Sequence, residues 1–526
     1  MKYYPFTQNS AIACLTGFLL CWAAGLWAQA GMIDSTFGNN GIVLIDINSG
    51  GSDRIYTVMV QPDNKVVAVG NSKKFPGNSI PVLIRLLEDG SYDPDFGTDG
   101  VVLSDFGDVG PEFYAAALDE DQRIVATGYG NDGDFMTARF LSDGSPDPSF
   151  GTNGIVYTDF FNNEDYANAI ALQADGKIVA GGTGYHPNDP EDYGFALARF
   201  NSDGSLDTTF GNQGKVITQI GPGNDEITSL VIQTDGKLLA CGFTVDGPDH
   251  KPYLVRYHPD GTLDTEFGSA GIVVDSLSNI PRKFQWTSLL PDGRIVVVIT
   301  ALGGDQNFGV ARYLADGTPD STFNGTGKLV LDQAVDCQGL GSGLVMPDGK
   351  LVIGGSAGPT GEFLVGRINT DGSIDTTFGN NGFVKQQGTG AFSFIKSMAT
   401  TPDGSLIVAG YGIQGGNTLS DFVLVKYLND LALGALNFEK PAQEVLVYPN
   451  PIVDHAVLRY ELEEGQQITI RLLDAAGRPI KTFVQDQWQA PGSYQQSISI
   501  PDTLPSGFYV IQLLSPNGQV AVKVMK

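Results

Sequence analysis

The sequence is poor in the residues that make cross-links, metal sites and helices. Four cysteines occur in 526 residues, and Cys14 and Cys21 fall in an apolar N-terminal run. Cys241 and Cys337 remain, in non-equivalent settings; two buried single thiols suit them better than a bridge, so disulfides are not what holds this chain together. Histidine is equally scarce: His186, His250, His258 and His455 are scattered, no two at metal-ligand spacing. A phosphate loop and a His-Glu-x-x-His pair are missing, so no catalytic constellation stands out. Positive charge is short as well: 31 Lys and Arg face 59 Asp and Glu, a net charge of −28. Residues 445–526 hold seven acidic and six basic side chains, so nearly all the excess lies upstream. An acidic surface of this kind repels nucleic acid and anionic membrane, and favours solubility or divalent cations. After the first thirty residues there is no long 3.6-residue apolar pattern and no second run long enough to span a bilayer.

What is abundant is glycine, 68 of 526 residues, about twice the usual ~7%. Short Val/Ile/Leu/Phe/Tyr runs alternate with Gly, Asp, Asn and Pro clusters, the pattern of an all-β chain. The order is set by a repeat whose most regular piece is Asp-x-x-Phe: Asp34/Phe37, Asp93/Phe96, Asp147/Phe150, Asp207/Phe210, Asp264/Phe267, Asp320/Phe323 and Asp375/Phe378. Successive Phe residues are 59, 54, 60, 57, 56 and 55 apart, a repeat-architecture period. Each unit offers four short strands, for example 155–158, 167–173, 177–181 and 195–200. Seven units of four strands predict a seven-bladed β-propeller.

Two local regularities support this. Asp-Gly or a near relative separates the second and third strands, as in Asp175-Gly176 and Asp235-Gly236, and suits the positive φ angles of a tight hairpin. A basic residue in the fourth strand precedes the Asp of the motif by eight: Arg85/Asp93, Arg139/Asp147, Arg199/Asp207, Arg256/Asp264, Arg312/Asp320 and Arg367/Asp375. These pairs are expected to meet where one blade passes to the next, with the Phe filling the gap. Lys426 has no following Asp-x-x-Phe and Asp34/Phe37 has no preceding fourth strand, so the ring is expected to close through its ends. Counting leaves open whether 42–45 belongs to the last blade.

Runs such as "DGSLDTTFGNQGKV" and "QADGKIVAGG" resemble the delta-60 repeats of bacterial extracellular proteins over about residues 31–430. The resemblance implies a propeller-like β architecture and no particular activity.

After a linker at 431–444, residues 445–526 change to alternating strands, expected at 456–462, 467–473, 494–500 and 508–514, which suggest a small Ig-like β-sandwich. "VLVYPNP", "LLDAAGRPI", "LPSGFYVIQL" and the final "VAVKVMK" resemble, in that order, the type A sorting domain of the type IX secretion system. The residues that carry the likeness are Tyr448, Pro449, Asn450, Pro451, Asp474, Gly477, Arg478, Gly507 and Tyr509. The resemblance implies export to the outside or to the outer-membrane surface, with the type IX machinery as partner. At the other end Lys2, an uncharged run and Ala28-Gln29-Ala30 fit a signal peptide at 1–30 cut after Ala30; a retained anchor is the alternative.

No cofactor is expected. Calcium is weakly suggested by Asp132/Asp134 and Asp93/Asp95/Asp99, which read better as turn residues. The richest irregular segment is 185–193, where Tyr185, His186, Asp189, Glu191, Asp192 and Tyr193 form a candidate ligand-binding loop on one rim, beside 242–250 and 72–80. The expectation is a monomeric, non-catalytic module that binds an extracellular glycan or protein. The alternatives are a polysaccharide-acting enzyme using paired rim carboxylates and a purely structural surface protein.

Overall fold

The computed structural model describes residues 30–429 and 446–526, apart from 49, 75–76, 105, 107–109, 131–132, 162–163, 187–188, 222, 247–248, 276–281, 302–307, 332–336, 359–360, 387–391, 414–419, 449–451, 453–454, 463–464, 474–478, 500–503, 505–507 and 516–517. Among the described residues there is no helix; strands and turns account for all regular structure.

Seven four-stranded antiparallel sheets follow one another as blades. Blade 1 runs Gly51–Val60, Val66–Lys74, Ser79–Leu86 and Val101–Leu103, and blade 3 runs Tyr166–Leu172, Ile178–His186, Asp189–Phe200 and Lys215–Thr218. The first strands of consecutive blades pack on one another, and Gly51–Val60 packs on Phe392–Thr400 of blade 7, which closes the ring. Blade and repeat are out of phase by one strand: the strand that opens each repeat is the last strand of the preceding blade. The phase left open by counting is thereby resolved. Ile42–Ile45 pairs with Ser420–Tyr427, in register Ile42↔Val425 to Ile45↔Phe422, and completes blade 7.

Strands two and three reach further than their sequence suggests. The segments read as irregular at 185–193, 242–250 and 72–80 are hairpin tips, with pairing carried out to Tyr185↔Tyr193, Val245↔His250 and Lys73↔Ser79. Gly, Pro and His punctuate these tips without ending the ladder. The Asp-Gly turns also differ in detail. Gly176 has φ 81° while Asp175 stays out of the left-handed region. Gly176 N–H bonds the Gln173 carbonyl, so one positive φ suffices. Asn64 (φ 69°) and Gln122 (φ 60°) take the glycine's place in blades 1 and 2.

The core is a series of apolar layers between blades, each holding one motif Phe, all seven of which are fully buried. Around each Phe the repeat builds one contact set. Arg199 Nε donates to Asp207 Oδ2 at 2.8 Å, its guanidinium carbon lies 4.5 Å from the Phe210 ring centre, and Nη1 donates to the Pro259 carbonyl of the next turn. Arg85–Asp93, Arg139–Asp147, Arg256–Asp264, Arg312–Asp320 and Arg367–Asp375 pair at 2.6, 2.7, 2.7, 2.7 and 2.8 Å. A cation stacked on a buried ring while paired to a buried carboxylate meets its desolvation cost with both contacts.

Each of these aspartates holds a second cation from the turn between strands one and two of its blade: Lys65, Arg123, Lys177, Lys237, Arg294 and Lys350 lie 2.8–3.9 Å from Asp93, Asp147, Asp207, Asp264, Asp320 and Asp375. Lys426 and Asp34, 3.1 Å apart, form the seventh pair.

The C-terminal residues form two facing sheets. One joins Leu446–Tyr448, His455–Leu462 and Gly492–Ser499; the other joins Pro479–Gln489, Gln466–Leu473, Phe508–Ser515 and Gly518–Met525. Leu458, Ile470, Ile498, Ile511 and Val524 are among the side chains of the shared core. Three strands, 446–448, 479–489 and 518–525, add to the four expected.

Candidate functional site at the propeller axis

The first strand of every blade carries an extra residue at one equivalent position against its partner, and blade 6 carries a second at Gln338. The bulged residues at the equivalent position are Tyr56, Tyr114, Asn168, Thr228, Gln285, Gly341 and Lys396. A bulge sets two residues against one, bends the strand and re-aims a side chain. All seven line a single cavity of about 400 Å³, so the first strands surround the axis and the bulges form a ring about it. The blade contacts repeat seven times, yet the ring reads Tyr, Tyr, Asn, Thr, Gln, Gly, Lys. Conserved geometry with varied chemistry at one equivalent position is how a rigid scaffold presents a binding surface.

Small and large residues fit together here. A Cβ on Gly343 would sit 2.4 Å from the Trp286 ring, so that glycine lets the indole lie against the blade 6 backbone. Trp286, Gly343, Ser342, Met398 and Glu226 also line the cavity.

One side of the cavity is aromatic and acidic. Tyr56 and Tyr114 stand edge to face at 5.1 Å, Tyr114 and Tyr129 are 5.8 Å apart, and Tyr129 meets Tyr166 at 5.3 Å. Tyr114 Oη donates to Glu112 Oε2 at 3.0 Å and Tyr166 Oη to Glu164 Oε2 at 2.7 Å. Burial, followed by the neighbouring Glu112 charge, holds the Tyr114 phenol far above its ordinary range. Burial also raises the Glu226 carboxyl, with Lys283 opposing the shift. Asn168 Nδ2 donates to Glu226 Oε1 at 3.4 Å.

One cation, Lys396, joins this lining, with two more nearby. Lys396 Nζ lies 5.9 and 6.0 Å from the ring centres of Tyr56 and Tyr411, and the Arg54 guanidinium lies 5.2 Å from that of Tyr411. Lys283 Nζ lies 5.3 Å from the Phe243 ring centre. Burial first, then the charges of Lys283 and Arg54, pull the Lys396 amine down to about 8.

A second cavity, of about 390 Å³, shares Tyr114, Asn168 and Glu226 with the first and extends to Tyr166 and Tyr193. The rim tyrosines singled out from sequence meet at 5.3 Å edge to face. Tyr193 lines this side cavity, and Tyr185 N–H donates to Asp165 Oδ1 at 3.0 Å. The side chains of His186, Asp189, Glu191 and Asp192 lie outside the described residues. So do Pro449, Asn450, Pro451, Asp474, Gly477, Arg478 and Gly507 of the C-terminal domain. Tyr448 ends the strand Leu446–Tyr448, and Tyr509 is buried in the sandwich core. Ala30 is buried, and its carbonyl accepts the Gly379 N–H at 2.8 Å.

Among the described residues two groups of three carboxylates bring oxygens within 4.8 Å of one another and could hold a cation: Asp46/Asp53/Asp421 and Asp134/Asp159/Asp165. Burial, then the Asp159 and Asp134 charges, raises Asp165 to about 7 against hydrogen bonds from Phe160 and Tyr185 N–H. Asp93, by contrast, is engaged by Arg85 and Lys65. The Cys241 thiol is free, buried, and pushed up by burial to about 12. One motif passed over in the sequence is Gly354-Gly355-Ser356-Ala357-Gly358, which has nucleophile-elbow spacing. Ser356 is buried in the middle of a blade 6 ladder opposite Phe363, without the strand–turn–helix an elbow needs.

Seven segments, 61–96, 121–150, 173–210, 233–267, 290–323, 347–378 and 401–433, match the domain of unknown function (DUF5122) beta-propeller, and 446–526 match the secretion system C-terminal sorting domain. No curated protein matches the chain. Similar solved structures include an unknown-function protein from Dyadobacter fermentans, at 12% identity and TM-score 0.39 over 74% of this chain and 97% of that one. They also include the polysaccharide lyase Uly1, at 10% identity and TM-score 0.42 over 71% and 89%. A glucose dehydrogenase is similar at 14% identity and TM-score 0.36 over 59% and 94%.

Proposed function

From a chain of seven DUF5122 beta-propeller repeats ending in a type IX secretion sorting domain, and hence a secreted or cell-surface protein that engages the type IX machinery, we propose a non-catalytic binding module for an extracellular glycan. The binding site is the axial cavity with its tyrosine-lined side extension. The observation that carries this reading is the bulge ring: seven equivalent positions facing one cavity, with six different residue types. Tyrosine rings give a sugar flat apolar faces, and Asn168, Gln285 and Glu226 supply hydrogen-bonding groups that can select among hydroxyls.

The test is a titration of the whole secreted chain against a panel of extracellular polysaccharides, with products followed by chromatography. Saturable binding without cleavage, weakened at least ~10-fold by Tyr56→Ala or Tyr114→Ala, is expected. Cleavage of a panel member would make the protein an enzyme instead. A blank across the panel would leave a structural surface protein.

A further inference from the structure

We infer that the axial cavity takes an anionic sugar, and that the ammonium of Lys396 is the group that meets its carboxylate or sulfate. The inference rests on the binding reading above and names the ligand class for that site.

Lys396 lines the cavity, and Arg54 and Lys283 lie close enough for their charges to act on its ammonium, in a protein with a net charge of −28. The six arginines that precede the motif aspartates, Arg85, Arg139, Arg199, Arg256, Arg312 and Arg367, each hold a carboxylate. Lys396 differs. Half-buried on the first strand of blade 7, it makes no ion pair or hydrogen bond among the described residues, and its contacts are the Tyr56 and Tyr411 ring faces. An ammonium has three donors. Keeping one partly desolvated beside two other cations costs free energy unless an acceptor arrives.

The nearby groups define that acceptor. Arg54 lies on Tyr411 from blade 1, Lys283 faces from blade 5, and the bulge of blade 6, Gly341, has no side chain. The opening on that side suits a group with several oxygens, which can accept from Lys396 and Arg54 together. The acidic surface does not override this. At physiological salt the screening length is about 8 Å, so distant carboxylates act weakly while Lys396 in the lining and the cations beside it act at close range. Tyr56 and Tyr114, which both line the cavity, provide ring faces for the sugar that bears the charge. Glu226 in the lining and Glu112 beside Tyr114 keep a long polyanion from filling the whole cavity and favour a chain end or a sparsely charged polymer.

The experiment titrates the whole secreted chain with three oligosaccharides of equal length: a galacturonic acid oligomer, its carboxyl-reduced neutral form, and a sulfated galactose oligomer. The expected result is saturable binding of at least one acidic oligomer, at least ~10-fold tighter than the neutral one. Lys396→Met should abolish that preference and Lys396→Arg should keep it. Thermal melting of each variant checks the fold. The carboxylate and sulfate arms tell the two anions apart. Equal binding of neutral and acidic oligomers, unchanged by Lys396→Met, would overturn the anion inference and leave the binding module standing. Failure of these three and of the wider neutral panel would overturn both.

Discussion

Lys426 Nζ lies 3.1 Å from Asp34 Oδ2, joining the last repeat to the first. The pair is the ring's own version of the Arg–Asp contact, made between residues far apart in sequence. Asp34→Asn should cost about 1–3 kcal/mol, measured by urea unfolding. Asp207→Asn, which leaves Arg199 buried beside a neutral amide, should cost about 3–5 kcal/mol. Equal losses would mean that closure carries no less than an internal blade contact.

Phe210 is fully buried between blades 3 and 4 under the Arg199 guanidinium. Phe210→Ala should cost about 3–5 kcal/mol. A loss below about 1 kcal/mol in the same unfolding measurement would contradict a tightly packed inter-blade layer.

Asp264 and Asp320 are held at about 2. Burial alone would raise them, but Lys237 and Arg256 donate to Asp264, while Thr322, Arg294 and Arg312 donate to Asp320. A carboxylate lowered on folding stabilises in full above its unfolded value of about 3.9 and loses that contribution as pH falls through the folded value. Stability should therefore drop between about pH 4 and pH 2. Asp264→Asn should flatten that limb while lowering stability at pH 7.

Lys396 gives the opposite slope at alkaline pH. Its folded value of about 8 is below the unfolded value of about 10.4, so between these the unfolded chain binds more protons and stability rises with pH. The titrating and charged groups facing it are Arg54 and Tyr56 of blade 1, Tyr411 of its own blade and Lys283 of blade 5. Without ligand, Lys396→Met should stabilise the chain by about 1–2 kcal/mol at pH 7, discounted for partial exposure. That gain should vanish near pH 10.5.

Ala30 occupies the place held in the other six junctions by an aspartate or its equivalent: its carbonyl accepts Gly379 N–H as Asp203 accepts Gly151 N–H. A chain beginning at Gly31 should be less stable than one beginning at Ala30 by about 0.5–1.5 kcal/mol, compared by thermal melting. Sequencing the N-terminus of the secreted protein then tells whether either form is made.

The blades were legible because their key contacts are local. Arg199 and Asp207 face each other within one chain reversal, so the interval of eight survives in every internal unit. The second cations were not legible as partners, because loops of changing length put Lys65 and Lys177 at different distances in sequence from Asp93 and Asp207. The axial site was hidden for another reason. A bulge is a property of two strands in register, and Tyr56, Asn168 and Lys396 share no residue type that would mark them as equivalent. The 479–489 strand begins at a proline and carries exposed Lys481, Gln487 and Trp488, which blurred its alternation.

The one-strand offset between repeat and blade has a mechanical side. The propeller leaves toward the sorting domain through Ser420–Tyr427, and that strand is bonded along one edge to Leu406–Ile413 and along the other to Ile42–Ile45. A pull on the C-terminal end thus enters a strand gripped on both edges, one grip supplied by the far end of the chain. Tension is shared across two ladders before any blade can open, as in a belt whose buckle carries the load.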